Sequence, residues 1–163
     1  MMVAHRMAVM DRGCIVQVGT PAQIYEQPNS RYVASFVGDV NLVEGRLVTT
    51  GPGGSQIDSA AGVKLATSQR VDAATGETVW VALRPEKLSV ATAMPAASGN
   101  CAAGRVAEIA YLGNVSIYKV RLDNGFVIKA QLPNLTRVVE RPIRIDDRVW
   151  LSWTPDAGVV LTG

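Results

Sequence analysis

Beyond Asn41 the chain is punctuated. Short runs of strand-forming residues alternate with Gly, Pro, Asn and Asp, and that rhythm restricts the fold to many short strands. Strands are expected at 42–49, near 56–58 and 63–66, and at 78–83, 87–91, 104–112, 116–122, 126–132, 148–153 and 159–161. Gly51-Pro-Gly-Gly-Ser55 reads as a loop, 68–77 as a polar turn region, and 92–103 as a loop rich in Ala, Gly and Pro. Asn124-Gly125 favours a type I′ hairpin turn. In the strand before it, Ile117, Lys119 and Arg121 alternate with Tyr118, Val120 and Leu122, giving one face for a core. Trp150 is expected to face away from Val149 and Leu151. Such a pattern builds a sandwich or a small barrel, so the fold class is mainly β. The blocks 42–90 and 104–161 have similar strand content but no evident sequence repeat. Two half-barrels and one interleaved barrel therefore both remain open.

The first forty residues differ. Residues 6–10 and 14–18 are two strands around Asp11-Arg12-Gly13, with Gly13 free to take a positive φ. Thr20, Pro21 and Gln23 then form a capping-box pattern that starts a short helix, which Pro28 ends. A second short helix follows, capped by Asn29 or Ser30, with Tyr32, Val33, Phe36 and Val37 as its apolar side and Gly38 at C′. The expected division is 1–40 and 41–163. A strand pair at the very start would leave an apolar face uncovered, which points to a piece of a longer protein.

Composition excludes several classes. The 163 residues are 48% hydrophobic and 18% charged, as in a folded domain. Net charge is only +2 and no basic run exceeds a pair, so no nucleic-acid footprint is visible. No apolar stretch approaches bilayer length, and His5, Arg6 and Asp11 break any signal-peptide pattern. Cys14 and Cys101 lie far apart and read as small buried or half-buried thiols in a reducing compartment.

No catalytic constellation emerges. There is no Gly-x-x-x-x-Gly-Lys-[Ser/Thr] phosphate loop. Gly53-Gly-Ser-Gln56 looks like an ATPase signature loop but lies among strands, where a hairpin loop is expected. His5 is the sole histidine and reads as structural; Ser89, Ser116 and Ser152 thus have no histidine to activate them. Asp146-Asp147 reads as a solvated turn. No catalytic, cofactor or metal residue is assigned.

Several segments in order carry a family likeness. They are Ala8-Val-Met-Asp-Arg-Gly13, Gln17-Val-Gly-Thr-Pro21, Ile24-Tyr-Glu-Gln-Pro28 and Val33-Ala-Ser-Phe-Val-Gly-Asp-Val-Asn41, then Leu83-Arg-Pro-Glu86, Tyr111-Leu-Gly-Asn114, Asp123-Asn-Gly125, Asp147-Arg-Val-Trp-Leu-Ser-Trp153 and Val159-Val-Leu161. Together they resemble the end of the ATP-binding subunit of bacterial ABC importers and its TOBE (transport-associated OB) domain, most like the putrescine and spermidine importers.

The resemblance implies an OB-like barrel in an accessory, regulatory region that is not itself an enzyme. It implies a homodimer through this region, membrane permease partners, and a place on the cytoplasmic side of the membrane. ATP and Mg would belong to the parent protein, not to this stretch. Candidate dimer or ligand contacts are Trp80, Arg84, Glu86, Tyr111, Trp150 and Trp153. The three tryptophans supply apolar area for a core or a dimer face, while Arg84 and Glu86 would orient a loop or pair across a subunit contact. The alternative is a stand-alone barrel for a small solute, a polyamine or an oxyanion, with Glu77, Glu86, Glu108 and Asp123 beside Trp80 and Tyr111 as polyamine ligands.

Overall fold

The computed structural model describes residues 4–96, 99–134 and 142–163. A hairpin, β1 (Met7–Asp11) and β2 (Cys14–Gly19), leads into α1 (Pro21–Glu26) and α2 (Arg31–Phe36). Its turn is two residues long, with Arg12 at φ 50° and Gly13 at φ 79°, the left-handed pair of a type I′ turn. The capping box forms: Gln23 N–H donates to Thr20 Oγ1 at 3.2 Å, and Thr20 N–H donates to Gln23 Oε1 at 2.9 Å. Ser30, not Asn29, caps α2. Gly38 sits at C′ without a positive φ. Its lack of a side chain serves another end, since a Cβ there would lie 3.1 Å from the Tyr25 ring. Val9, Ile24 and Val33 form a small core of their own. Cys14 is exposed rather than buried, because it lies beside the hairpin turn.

Two five-stranded sheets follow. The strands are β3 (Asn41–Gly51), β4 (Gly54–Ser59), β5 (Lys64–Thr67), β6 (Thr78–Leu83), β7 (Ser89–Ala91), β8 (Asn100–Tyr111), β9 (Val115–Leu122), β10 (Val127–Pro133), β11 (Arg148–Trp153) and β12 (Val159–Leu161). The first sheet has the order β12-β6-β3-β4-β5 and the second β7-β11-β8-β9-β10. Pro85–Lys87 is a 3₁₀ turn that carries the chain from one sheet to the other, so the strand expected from residue 87 begins only at Ser89. Strand β8 begins at Asn100, inside the stretch expected to be loop, and β3 and β4 close on a two-residue turn, Pro52-Gly53.

The strand order settles the barrel question in favour of interleaving. Residues 41–91 and 100–161 follow one plan, and each ends by giving its last strand to the other's sheet. The registers match position by position: Asn41 faces Leu83 and Glu44 faces Trp80, as Asn100 faces Trp153 and Ala103 faces Trp150. The repeat is sparse in sequence. Asn41-Leu-Val-Glu-Gly45-Arg46-Leu47 overlies Asn100-Cys-Ala-Ala-Gly104-Arg105-Val106, and Val79-Trp80 with Pro85 overlies Val149-Trp150 with Pro155. Both long strands bulge just after Leu47 and Val106. Gly45 and Gly104 are fixed by contact, since a Cβ on either would run into the neighbouring strand's backbone at Asp58 or Arg121.

Two amides close the barrel. Asn41 Nδ2 donates to Lys129 O at 2.8 Å and its Oδ1 accepts from Lys129 N at 2.9 Å, tying the first sheet to edge strand β10. Asn100 does the same to Ala66 on edge strand β5, at 2.8 and 2.7 Å. Each carboxamide thus stands in for one residue of a missing strand and satisfies an edge peptide. One core runs between the sheets, with Val43, Leu47, Ile57 and Val79 from the first and Val106, Val120, Ile128 and Leu151 from the second.

The β9–β10 connection differs from its expected form. Gly125 is left-handed at φ 91°, but Asn124 is not, and the loop holds three residues closed by Leu122 N–H to Phe126 O at 2.8 Å. Asn124 is held by its side chain instead: Oδ1 accepts from Phe126 N–H and Nδ2 donates to Ala60 O of the other half.

Candidate functional site

The densest polar constellation lies where α1 and α2 meet the end of β6. Strand β6 buries Leu83 in the core and then places Arg84 against the end of α2, whose last carbonyls have no intrahelical donors. Arg84 Nη1 donates to Ala34 O at 2.9 Å and to Gly38 O and Asp39 O, both at 3.1 Å; Nη2 donates to Tyr25 O at 3.2 Å. The guanidinium stacks over the Tyr25 ring at 4.2 Å and is only 5% exposed. The cation is thus spread over four carbonyls and a π face, and no carboxylate is needed beside it.

Arg84 and Glu86, expected to orient a loop or pair across a subunit contact, take separate partners within the chain. Pro85 opens the 3₁₀ turn and sends Glu86 to a different partner, the Tyr25 hydroxyl, which donates to its carboxylate. Burial, then the bond to Glu86 and its negative charge, push the Tyr25 phenol up to about 12. Lys87 Nζ lies 3.3 Å from Glu26. On the same side Arg31 stacks on Trp80 at 3.7 Å, and Arg31 N–H donates to Gly163 O at 2.9 Å. Trp80 packs with Ala34, Ala82 and Leu161.

Three of the six sequence candidates, Trp80, Arg84 and Glu86, therefore come together, and they face this chain's own helices. Trp153 is core, 6% exposed. Trp150 is half-buried on the outside of the second sheet, with Arg148 5.8 Å from its ring. Tyr111 stands 73% exposed beside Leu112 at the tip of the β8–β9 hairpin. Asn134 braces that tip, accepting from Ser116 Oγ and donating to Gly113 O. Three of the four carboxylates offered as polyamine ligands have separate partners: Glu108 pairs with Lys119 at 2.9 Å, Asp123 with Arg148 at 3.1 Å, and Glu86 with Tyr25.

The other sequence candidates take local roles. Gly54 and Ser55 lie in the β3–β4 hairpin, where Ser55 Oγ donates to Gln69 O. Asp147 accepts from Arg144 N–H across a turn in which Asp146 has φ 70°. His5 is exposed ahead of β1. Among the described residues no group of three His, Cys, Asp or Glu is placed to hold a metal ion, and no helix is long and apolar enough to cross a membrane. Sequence reasoning missed Tyr25, Arg31 and the two clamping asparagines. Asn41 and Asn100 left one trace, their equal spacing to Gly45-Arg46 and Gly104-Arg105.

Residues 81–161 match the TOBE domain. The chain is 43% identical over 99% of its length to the putrescine transport ATP-binding protein PotG of Escherichia coli K12. It is 36% identical over 96% of its length to the spermidine/putrescine import ATP-binding protein PotA of Pseudomonas aeruginosa, and 30% identical over 98% to that of Thermotoga maritima. It spans 43% to 44% of the length of these relatives. The fold is also that of the cytoplasmic molybdate-binding protein ModG, with a TM-score of 0.67 at 15% identity, over 82% of this chain and 97% of ModG. The chain is thus mainly β and OB-like, carries a TOBE domain at 81–161, and is similar along nearly its whole length to part of the ATP-binding proteins named above.

Proposed function

We propose that this chain is the accessory and regulatory part of the ATPase subunit of a polyamine ABC importer, not itself catalytic, acting at the cytoplasmic side of the membrane with permease subunits. The observation that carries this is the 43% identity to PotG along 99% of the chain. In this reading residues 1–40 belong to the nucleotide-binding part and 41–163 to the barrel. The Arg84 joint supports it, because four hydrogen bonds and two cation–π contacts would let a change in one part move the other as a rigid lever. Two barrels in contact would keep two ATPase subunits paired, and Tyr111 with Leu112 offers one apolar contact for that pairing. ATP and Mg would be held elsewhere in the subunit: this sequence has no phosphate loop, so no catalytic step runs through its residues.

The test is a transplant. The matching region of E. coli PotG is replaced by this chain and putrescine uptake is measured in cells lacking their own importer. Uptake near the native rate is expected, and a well-expressed chimaera without uptake would sink the assignment. Light scattering tests the pairing separately: a strict monomer at high protein concentration removes the dimer.

A further inference from the structure

The two halves offer equivalent recesses with different charge patterns. In the first sheet, Thr78, Arg46 and Asp58 lie directly opposite one another across β6, β3 and β4. The matching row of the second sheet is Arg148, Arg105 and Arg121, across β11, β8 and β9. All six side chains are exposed. The recess beside the first row, about 250 Å³, includes Glu44 and Asp58 against Arg46. That beside the second, about 260 Å³, includes Arg105 and Arg121 with Asp123 and Asp146.

Like charges directly opposite across a ladder are destabilising, so three arginines in register need compensation. Asp123 supplies part of it, taking Arg148 through both carboxylate oxygens at 3.1 and 3.2 Å. Arg148 holds the Asp123 carboxyl below the usual carboxylate range. Arg105 donates to a backbone carbonyl, Asp146 O, at 3.1 Å, and among the described residues Arg121 has no ion-pair partner.

We propose that Arg105 and Arg121 form a binding site for a phosphate-class oxyanion on the outer face of the second sheet, independently of the transport assignment. Two neighbouring guanidinium forks match the oxygens of such an anion and can each engage it through two N–H groups. The first half lacks the site because Asp58, directly opposite Arg46, puts a carboxylate where the second sheet has the Arg121 guanidinium. Free phosphate and an anionic lipid headgroup share this chemistry.

The test uses the whole chain at low ionic strength. The guanidinium resonances of Arg105 and Arg121 are followed by NMR during titration with inorganic phosphate, and co-sedimentation is measured with phosphatidylglycerol vesicles and with neutral ones. Saturable shifts with phosphate assign a free anion; binding to anionic vesicles alone assigns a headgroup. Arg121→Asp, which reproduces the first half's arrangement, should weaken either at least about tenfold. Arg121→Gln is the fallback if the acid perturbs folding. The converse exchange, Asp58→Arg, should create a second site on the first sheet. Neither phosphate nor vesicle binding, or binding unchanged in both Arg121 variants, overturns the proposal.

Discussion

The outer face of the first sheet carries Leu42, Trp80, Ala82, Val159 and Leu161, and α2 covers it through Ala34 and Arg31. At the matching positions the second sheet carries Cys101, Trp150, Ser152, Ser89 and Ala91. The backbones share one plan, yet only one face is packed by helices. Apolar branched side chains in the first face gain from being covered, whereas serines and alanine in the second remain stable against water. The strand plan is thus set by what points inward and by edge closure, while docking is set by a row of residues that the core never sees. The corners differ in the same way: Arg84-Pro85-Glu86 grips the helices, and Thr154-Pro155-Asp156 at the matching place turns back on itself, with Thr154 holding the Asp156 carboxyl low.

The comparison breaks most sharply at those corners. Arg84→Ala should lower stability by about 3 kcal/mol, because it strips a buried cation from four carbonyls that water only partly reaches. Arg84→Lys should recover less than half, since an ammonium cannot fork or stack in the same place. Thr154→Ala should stay within about 0.5 kcal/mol. Urea denaturation of the three variants checks this, and equal losses at both corners would refute the asymmetry.

The amide clamps test the opposite claim, that the halves are alike in how they close. Asn41→Ala and Asn100→Ala should each cost about 2 kcal/mol, as each leaves an edge N–H and C=O without a partner. The two costs should agree within about 1 kcal/mol, since both peptides belong to half-buried residues, Lys129 and Ala66. Aspartate at either position should do no better than alanine, because a carboxylate presents no donor to the carbonyl. A loss at one clamp with none at the other, by thermal or urea unfolding, would mean that the barrel is sealed on one side only.

These effects also show where the sequence stops being informative. The strands, the first hairpin turn, the capping box and the inward set Val149 and Leu151 follow from periodicity and turn chemistry within a few residues. The clamps join residues 88 and 34 positions apart, and Arg84 reaches its carbonyls across 45 to 59. No local pattern encodes such distances. The repeat was hidden for a related reason: registers tolerate almost any outward residue, so the halves keep Asn, Gly, Trp and Pro at framework positions and little else. The burial of Arg84 was not legible because a charged residue beside Pro at a strand end is usually solvated, and nothing nearby in the chain announces the end of α2. The candidate site was legible as Trp80, Arg84 and Glu86, but not as a joint to Tyr25 and Arg31.

The smallest expected effect is a pH dependence confined to the first corner. Tyr25 titrates at about 12 in the folded chain against about 10 in an unfolded one. Its folded pKa is raised, so between these values the folded state holds a proton that the unfolded state has lost. The contribution of the neutral phenol is fully present below pH 10 and disappears as pH rises from about 10 to 12. Tyr25→Phe removes the titration together with the bond to Glu86. The variant should therefore be slightly less stable than the parent at pH 8, with the gap closing by pH 12 as the parent loses its advantage. Thermal unfolding of parent and variant across that range, each referenced to its own value at pH 8, separates this from the general weakening that alkali causes. A gap that stays constant with pH would show that folding does not favour the protonated phenol.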